Sequence, residues 1–200
     1  MFTKKFDENG NLSRYKARLV AQGFSQGYIY DYSDTFSPVV RLDSFRLVIA
    51  IAAYHRFPLG QMDIKGAYLN GKLSEEIYMK QPAGCDDGTG RVCKLIHTLY
   101  GLQQSGREWN NTLKNFLVEK AGYTQLPKEH GLFIRRNDNE FDIIAVWVDD
   151  LLIVSSSDSR LEQTKCEIGN EFEATYQGQP KLLLGIQIER NPQTKGIKIH

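Results

Sequence analysis

The sequence predicts an α+β fold of the split βαβ kind: a strand, a helix, a strand hairpin, a second helix and a last strand around one sheet. Three observations predict it. The stretch IIAVWVDDLLIVSSS (143–157) holds two apolar, β-branched runs separated by Asp149 and Asp150, which is the pattern of two buried strands joined by a tight turn. Residues 105–121, SGREWNNTLKNFLVEKA, place Trp109, Leu113, Phe116 and Leu117 on one helical face. Residues 57–64, FPLGQMDI, read as a short strand ending at Asp63, ahead of that helix.

The remaining elements follow in order. DENGN (7–11) reads as a turn and YKARLVAQGF (15–24) as the strand after it. LDSFRLVIAIAAYHR (42–56) is a buried helix, with Asp43 or Ser44 as its N-cap. SEEIYMKQP (74–82) is a strand or loop, and VCKLIHTLYGL (92–102) leads into the helix at 105–121. GLFIRR (131–136) and FDIIAVWV (141–148) are strands, followed by the Asp pair and LLIVSS (151–156). SRLEQTKCEIGNEFEATY (159–176) is the second crossover helix. KLLLGIQIER (181–190) is the final strand, with GIKIH (196–200) as its hairpin partner. The chain starts with half a hairpin under way and stops in mid-strand, so a piece of a longer protein, or a decayed copy of one, is expected.

Composition excludes little. A net charge of +1 neither announces a nucleic-acid binder nor forbids one, so local clustering has to decide. Cys85, Cys93 and Cys166 match no zinc spacing and read as free thiols in a reducing compartment. The four histidines are scattered and form no ligand pair. The charged start MFTKKFDENG has no apolar core, so no signal peptide is expected. The longest apolar run, LVIAIAA (47–53), is far short of the roughly 20 residues of a membrane span. A soluble, intracellular protein is expected.

The carboxylates carry the chemistry. In a βαβ crossover the first two strands run parallel, so their C-terminal ends share one edge of the sheet. Asp63 ends the first strand, and Asp149 and Asp150 end the second. Three converging carboxylates repel one another and lose charge unless a cation is present. Hard oxygen ligands of this kind suit Mg²⁺ or Mn²⁺, and two such ions roughly 3.5–4 Å apart serve phosphoryl transfer. The pattern points to nucleotidyl transfer with Asp63, Asp149 and Asp150 as metal ligands. Taken alone, VDDL is equally a surface β-turn, since Asp is common in turns. The apolar flanks and the matching position of Asp63 weigh against that.

Three further features have both a functional and a bland reading. Tyr68, shortly after Asp63 in DIKGAY, is placed to floor a nucleotide sugar and exclude a 2′-hydroxyl, or is core packing. Arg14, Lys16 and Arg18 alternate onto one face of a strand beside Lys4 and Lys5. That face suits a triphosphate or a template backbone, or is a charged edge. LYGLQQSGREWN (99–110) offers a helix start to a base pair or phosphate, or is a plain cap.

These pieces together resemble the reverse transcriptase domain of copia-type long-terminal-repeat retrotransposons. The resemblance covers nearly the whole chain. It rests on RYKARLVAQGFSQ, DYSDTFSPVVRLDSFRLVIAIAA, MDIKGAYLNGKLSEEIYMKQPAG, LYGLQQSGREW, WVDDLLI and LLLGIQIE. It implies a right-hand polymerase palm with partial fingers, which copies RNA and then DNA into DNA from deoxynucleoside triphosphates with two Mg²⁺ or Mn²⁺ ions. It implies fingers with the helix leading into the palm at 1–56, palm at 57–176, and primer-grip-like strands at 177–200. Asp63, Asp149 and Asp150 are then the palm carboxylates. Tyr68 stands where the family's sugar-discriminating aromatic stands. Lys16 and Arg18 match fingers residues near the incoming triphosphate, and the segment holding Gly101 and Gln104 matches the one that packs on nucleotide and template. The implied partners are an RNA or DNA template-primer, dNTPs, and the RNase H and integrase portions of a parent polyprotein, in cytoplasmic particles.

Three positions depart from the family's pattern. Gln103 and Gly106 stand where a lysine and a proline are usual, and Trp147 stands where the tyrosine before the Asp pair is usual. Two other readings stay open: a non-catalytic transposon remnant with at most weak nucleic-acid binding, and a cyclase or other two-metal nucleotidyl transferase on the same topology.

Overall fold

The computed structural model describes residues 1–6, 10–137 and 140–200. The turn expected at 7–11 falls partly on residues 7–9, outside the described residues. The first strands are β1 (Phe2–Phe6), β2 (Leu12–Ala17), β3 (Leu59–Ile64), β4 (Tyr78–Lys80) and β5 (Val92–Lys94). The middle strands are β6 (Thr124–Leu126), β7 (Glu129–Asn137), β8 (Glu140–Trp147) and β9 (Asp150–Ser155). The last are β10 (Ala174–Gly178), β11 (Leu182–Leu183), β12 (Ile186–Arg190) and β13 (Ile197–Ile199). The α-helices are α1 (Leu42–His55), α2 (Ser105–Asn115) and α3 (Asp158–Glu171).

The chain divides into two compact units. One comprises Met1–Ser37 and Tyr68–Trp109, the other Pro38–Ala67 and Asn110–His200. The first unit is built from two small antiparallel pairs, β1 with β2 and β4 with β5. Its apolar centre is Ala21, Ile77 and Leu102, with Leu73, Met79, Leu95 and Leu99 against them. The strand expected over 15–24 ends at Ala17, and the chain then makes a 3-10 turn at Gly23–Ser25. The cause is a backbone crossing: Ala21 N–H donates to the Tyr100 carbonyl at 2.7 Å. A Cβ on Gly101, which sits at φ +94°, would lie 2.2 Å from the Ala21 carbonyl oxygen. Only glycine fits there, on grounds of both φ and space.

The second unit holds the large sheet, in the order β10-β3-β9-β8-β7-β6, with every neighbouring pair antiparallel. β3 and β8 point the same way, but β9 lies between them and pairs with both. Because strand side chains alternate, Leu59, Gln61 and Asp63 share one face of β3 and Gly60, Met62 and Ile64 the other. Leu59 packs with Phe45, Val48 and Ala52 of α1 and with Leu152 and Val154. On the opposite face Gly60 lies against Leu161 of α3. The sheet therefore has α1 on one face and α3 on the other, each covering an apolar stripe.

Several expected boundaries move. The helix predicted over 159–176 stops at Glu171, because Phe172 is extended (φ −126°, ψ 146°) and the chain becomes the edge strand β10. That strand, rather than 181–190, closes the large sheet. KLLLGIQIER is itself a hairpin, turning at Leu184 (φ 54°) and Gly185 (φ 76°). Its second arm pairs with β13, as expected for GIKIH. The helix predicted to Ala121 is α-helical to Asn115 and then widens into a π turn, Phe116–Lys120, while Trp109, Leu113, Phe116 and Leu117 are buried. The cap of α1 is Arg41, without a side-chain bond, rather than Asp43 or Ser44. Glu129 explains this: its carboxylate accepts from the Ser44 hydroxyl at 2.5 Å and from Arg41 Nε at 2.6 Å.

Burial works to raise the pKa of Glu129, but the Ser44 and Arg41 hydrogen bonds outweigh it and hold the carboxyl below its ordinary range. A depressed carboxyl stabilises the fold above its unfolded pKa and loses that contribution as pH falls through the folded value. Glu129→Gln is expected to weaken the acid dependence of the urea midpoint between pH 5 and pH 3, measured by circular dichroism.

One buried polar cluster lies between β7, β8 and α3. Asp142 is fully buried and its Oδ2 accepts from Arg135 Nε at 3.0 Å and Arg160 Nε at 2.7 Å. Arg135 also donates to Glu167 at 2.8 Å, to the Ala121 carbonyl at 2.8 Å and to Thr164 Oγ1 at 3.1 Å. Its guanidinium stacks over the Tyr123 ring, 4.4 Å from the centroid. The thiols are free: Cys85 and Cys166 are exposed and Cys93 is half-buried.

Candidate active site

Asp63, Asp149 and Asp150 gather at one end of the large sheet. Asp63 and Asp150 are cross-strand partners in the β3–β9 register. Directly opposed residues of an antiparallel pair put their Cβ atoms about 4.5–5.5 Å apart on the same face. The turn between β8 and β9 contains only Val148 and Asp149. Its position is fixed by a bond from Ile64 N–H to the Asp149 carbonyl at 2.8 Å. All three carboxylate residues are half-buried.

Two neighbours that the motifs do not single out shape this end of the sheet. Gln61 lies two residues before Asp63 on the same face, and its Nε2 donates to Asp150 Oδ1 at 3.2 Å. Val148 takes φ 55° at the first central position of the turn, a left-handed conformation that a β-branched side chain rarely adopts. Such hairpin turns ordinarily place glycine there. The strain is held by the β8–β9 ladder on either side. Gln61 could have been found from the alternation of side chains along 59–63; nothing in the sequence signals the backbone of Val148.

Burial raises the Asp150 carboxyl above its ordinary pKa. The Gln61 hydrogen bond opposes this, and the Asp149 and Asp63 charges add to it. A raised carboxyl favours folding at low pH, and that contribution is lost as pH rises through the folded value. Asp150→Asn is therefore expected to raise the urea midpoint of the metal-free chain at pH 7 and to leave it unchanged at pH 3. Gln61→Leu is expected to move the Asp150 titration to higher pH, read from its carboxyl carbon by NMR.

The donor set is chemically suited to a hard divalent cation: carboxylate oxygens, mutual repulsion, and one carboxyl already pushed toward its neutral form. Among the described residues no group of three His, Cys, Asp or Glu side chains converges as a ready metal shell. The fit rests on the Asp63–Asp150 pair with Asp149 beside it.

The other predicted site residues belong to the first unit. Arg18 lies just past β2, and its guanidinium sits 5.1 Å from the centroid of the Tyr100 ring. Tyr68 packs edge-on against the same ring at 5.3 Å, and its carbonyl accepts from Thr98 Oγ1. Tyr100, which the sequence reading does not single out, thus joins Arg18 to Tyr68. Lys16 lies on β2 opposite Thr3, and Arg14 opposite Lys5. Gly101 serves the crossing with Ala21 described above. Gln104 is fully buried: its amide donates to the Asp31 carbonyl at 2.9 Å and accepts from Gln26 at 3.1 Å. Gln103 reaches the Gly23 carbonyl at 3.1 Å. A Cβ on Gly106 would stand 2.9 Å from the Ser37 Cβ, so this position is held open for close packing.

The family model described as reverse transcriptase (RNA-dependent DNA polymerase) matches residues 1–200, and the chain belongs to that family. Its relatives include the retrovirus-related Pol polyproteins from transposons RE1 and RE2 of Arabidopsis thaliana, 37% and 36% identical over 96% of this chain. The corresponding polyprotein from transposon TNT 1-94 of Nicotiana tabacum is 36% identical over 95% of it. These matches agree with the resemblance to copia-type retrotransposon enzymes drawn from the motifs. The chain spans only 13–14% of the length of these relatives. Among the described residues no helix is long and apolar enough to cross a membrane.

Proposed function

We propose that the chain is the RNA-directed DNA polymerase portion of a copia-type retrotransposon Pol polyprotein, with the large sheet as its palm. The observation that carries this is the Asp63–Asp150 cross-strand pair with Asp149 in the adjoining turn. Within this reading the fingers lie in 1–56, the palm in 57–176 and the primer-grip-like strands in 177–200. Asp63, Asp149 and Asp150 hold two Mg²⁺ or Mn²⁺ ions, which when bound supply charge stabilisation to the phosphates and activation of the attacking hydroxyl. Gln61 orients the Asp150 carboxyl. The strained turn fixes the Asp149 backbone before substrate arrives, so little reorganisation remains for the reaction. Lys16 and Arg18 attract the triphosphate, Tyr68 selects the sugar, and the backbone around Gly101 and Gln104 supports the nucleotide. Template-primer and dNTPs are the substrates. RNase H and integrase portions complete the polyprotein, in cytoplasmic particles.

Primer extension tests the reading. The purified chain with a primed RNA template, dNTPs and Mg²⁺ is expected to extend the primer, and Asp149→Asn to abolish extension while leaving the fold unchanged by circular dichroism. Tyr68→Ala is expected to admit ribonucleotides; an unchanged sugar preference removes that role. A second reading, a folded remnant without activity, is favoured by Gln103 and Gly106, which stand where a lysine and a proline are usual. Template binding without extension under any divalent ion selects it.

A further inference from the structure

At the other end of the large sheet, a cavity of about 340 Å³ is lined by Arg56, Arg190 and Lys195, with Asp158, Glu162 and Leu59 among its other walls. Leu59 lies four residues before Asp63 on β3, so about 13 Å along the strand separates it from the carboxylates at 3.3 Å per residue. The three cations come from separate places: the C-cap of α1, the end of β12, and the turn between β12 and β13.

Three observations bear on what this cavity accepts. None of Arg56, Arg190 and Lys195 makes an ion pair among the described residues, although two carboxylates share the cavity. Among the described residues Arg190 Nε is a buried donor without a hydrogen-bond partner, while its Nη2 donates to the Arg56 carbonyl at 3.1 Å. Arg56 and Lys195 both hold left-handed backbone, φ 59° and φ 60°, where glycine is the unstrained choice. The C-cap of α1 and the β12–β13 turn thus each bring a long cationic side chain to the rim of one cavity.

We propose that this cavity binds one phosphodiester group of a nucleic-acid strand, as a second contact remote from the Asp63–Asp150 pair. Charge favours a phosphate oxygen as the ligand. Glu162 is already paired with Lys165 at 2.5 Å, so three cations face one uncommitted carboxylate, Asp158, and the lining carries an excess of positive charge. Burial lowers the pKa of Arg190, with the Asp158 charge opposing, so a bound anion also relieves a desolvated guanidinium. The inference rests on the polymerase reading for the source of the phosphate.

The test uses the whole chain in metal-free buffer and a fluorescein-labelled single-stranded oligonucleotide, with affinity read by anisotropy across salt concentrations. Arg56→Gly/Lys195→Gly suits the left-handed backbone, so the variant is expected to fold. Loss of one phosphate contact on a single strand lowers the slope of log affinity against log salt by roughly 0.7, or about fivefold in affinity at 0.1 M salt. Asp158→Asn is expected to shift affinity upward. Binding with the slope unchanged in the double-glycine variant overturns the inference and leaves the polymerase reading standing. Displacement by inorganic phosphate or pyrophosphate as effectively as by oligonucleotide overturns the diester assignment. No oligonucleotide binding at all removes this site and the substrate reading together. The expected slope change, together with no primer extension by the unaltered chain when Mg²⁺ and dNTPs are added, supports the site and counts against the polymerase reading alone.

Discussion

Asp142→Ala is expected to cost about 3–5 kcal/mol and to bring the second unit close to unfolding at room temperature. Asp142 is fully buried and takes the Nε protons of both Arg135 and Arg160. Removing it leaves two guanidinium groups in a low-dielectric interior, one still paired to Glu167 and the other to Glu140. Breaking one partner of a buried ionic cluster typically costs 3–5 kcal/mol, because the remaining charge keeps its desolvation penalty. Whole domains are stable by only about 5–15 kcal/mol. Urea unfolding checks it: the midpoint should fall steeply at constant slope. Replacing the cluster together, as Arg135→Met, Asp142→Leu and Arg160→Met, is expected to recover most of the loss. A cost under about 1 kcal/mol for Asp142→Ala would mean that water already serves these groups.

Gly101→Ala is the second large effect, expected at about 3 kcal/mol or more and confined to the first unit. The added methyl meets the Ala21 carbonyl oxygen at 2.2 Å, a backbone atom held by the bond from Ala21 N–H to the Tyr100 carbonyl. The left-handed conformation alone costs an L-residue roughly 1–2 kcal/mol, and the overlap adds to it. Melting without substrate separates the two possible roles of this residue. A destabilised chain points to packing, whereas an unchanged melt with weakened nucleotide binding points to ligand contact.

The sequence made the centre of the sheet legible because its signals are local and strong. The β-branched runs on either side of Asp149–Asp150 read as central strands, and the one-face apolar spacing of 105–121 as a buried helix. From those, the meeting of Asp63 with the Asp pair follows by topology. What stayed hidden depends on long-range geometry. The strand at 174–178 reads as helix because EFEATY continues a helical run; pairing of Thr175 with Asp63 decides otherwise. Ser44 reads as a cap until Glu129, far along the chain, takes its hydroxyl. Gln104 is assigned by resemblance to the segment that packs on nucleotide and template, and its burial between Asp31 and Gln26 has no local signature.

The exposed thiols at Cys85 and Cys166 fall one in each compact unit. With Cys93→Ser to remove the half-buried third, maleimide dyes at these two positions would form a donor–acceptor pair reporting on the spacing of the units. Adding template, nucleotide or Mg²⁺ to such a labelled chain reads any change in that spacing optically, one molecule at a time and independent of turnover.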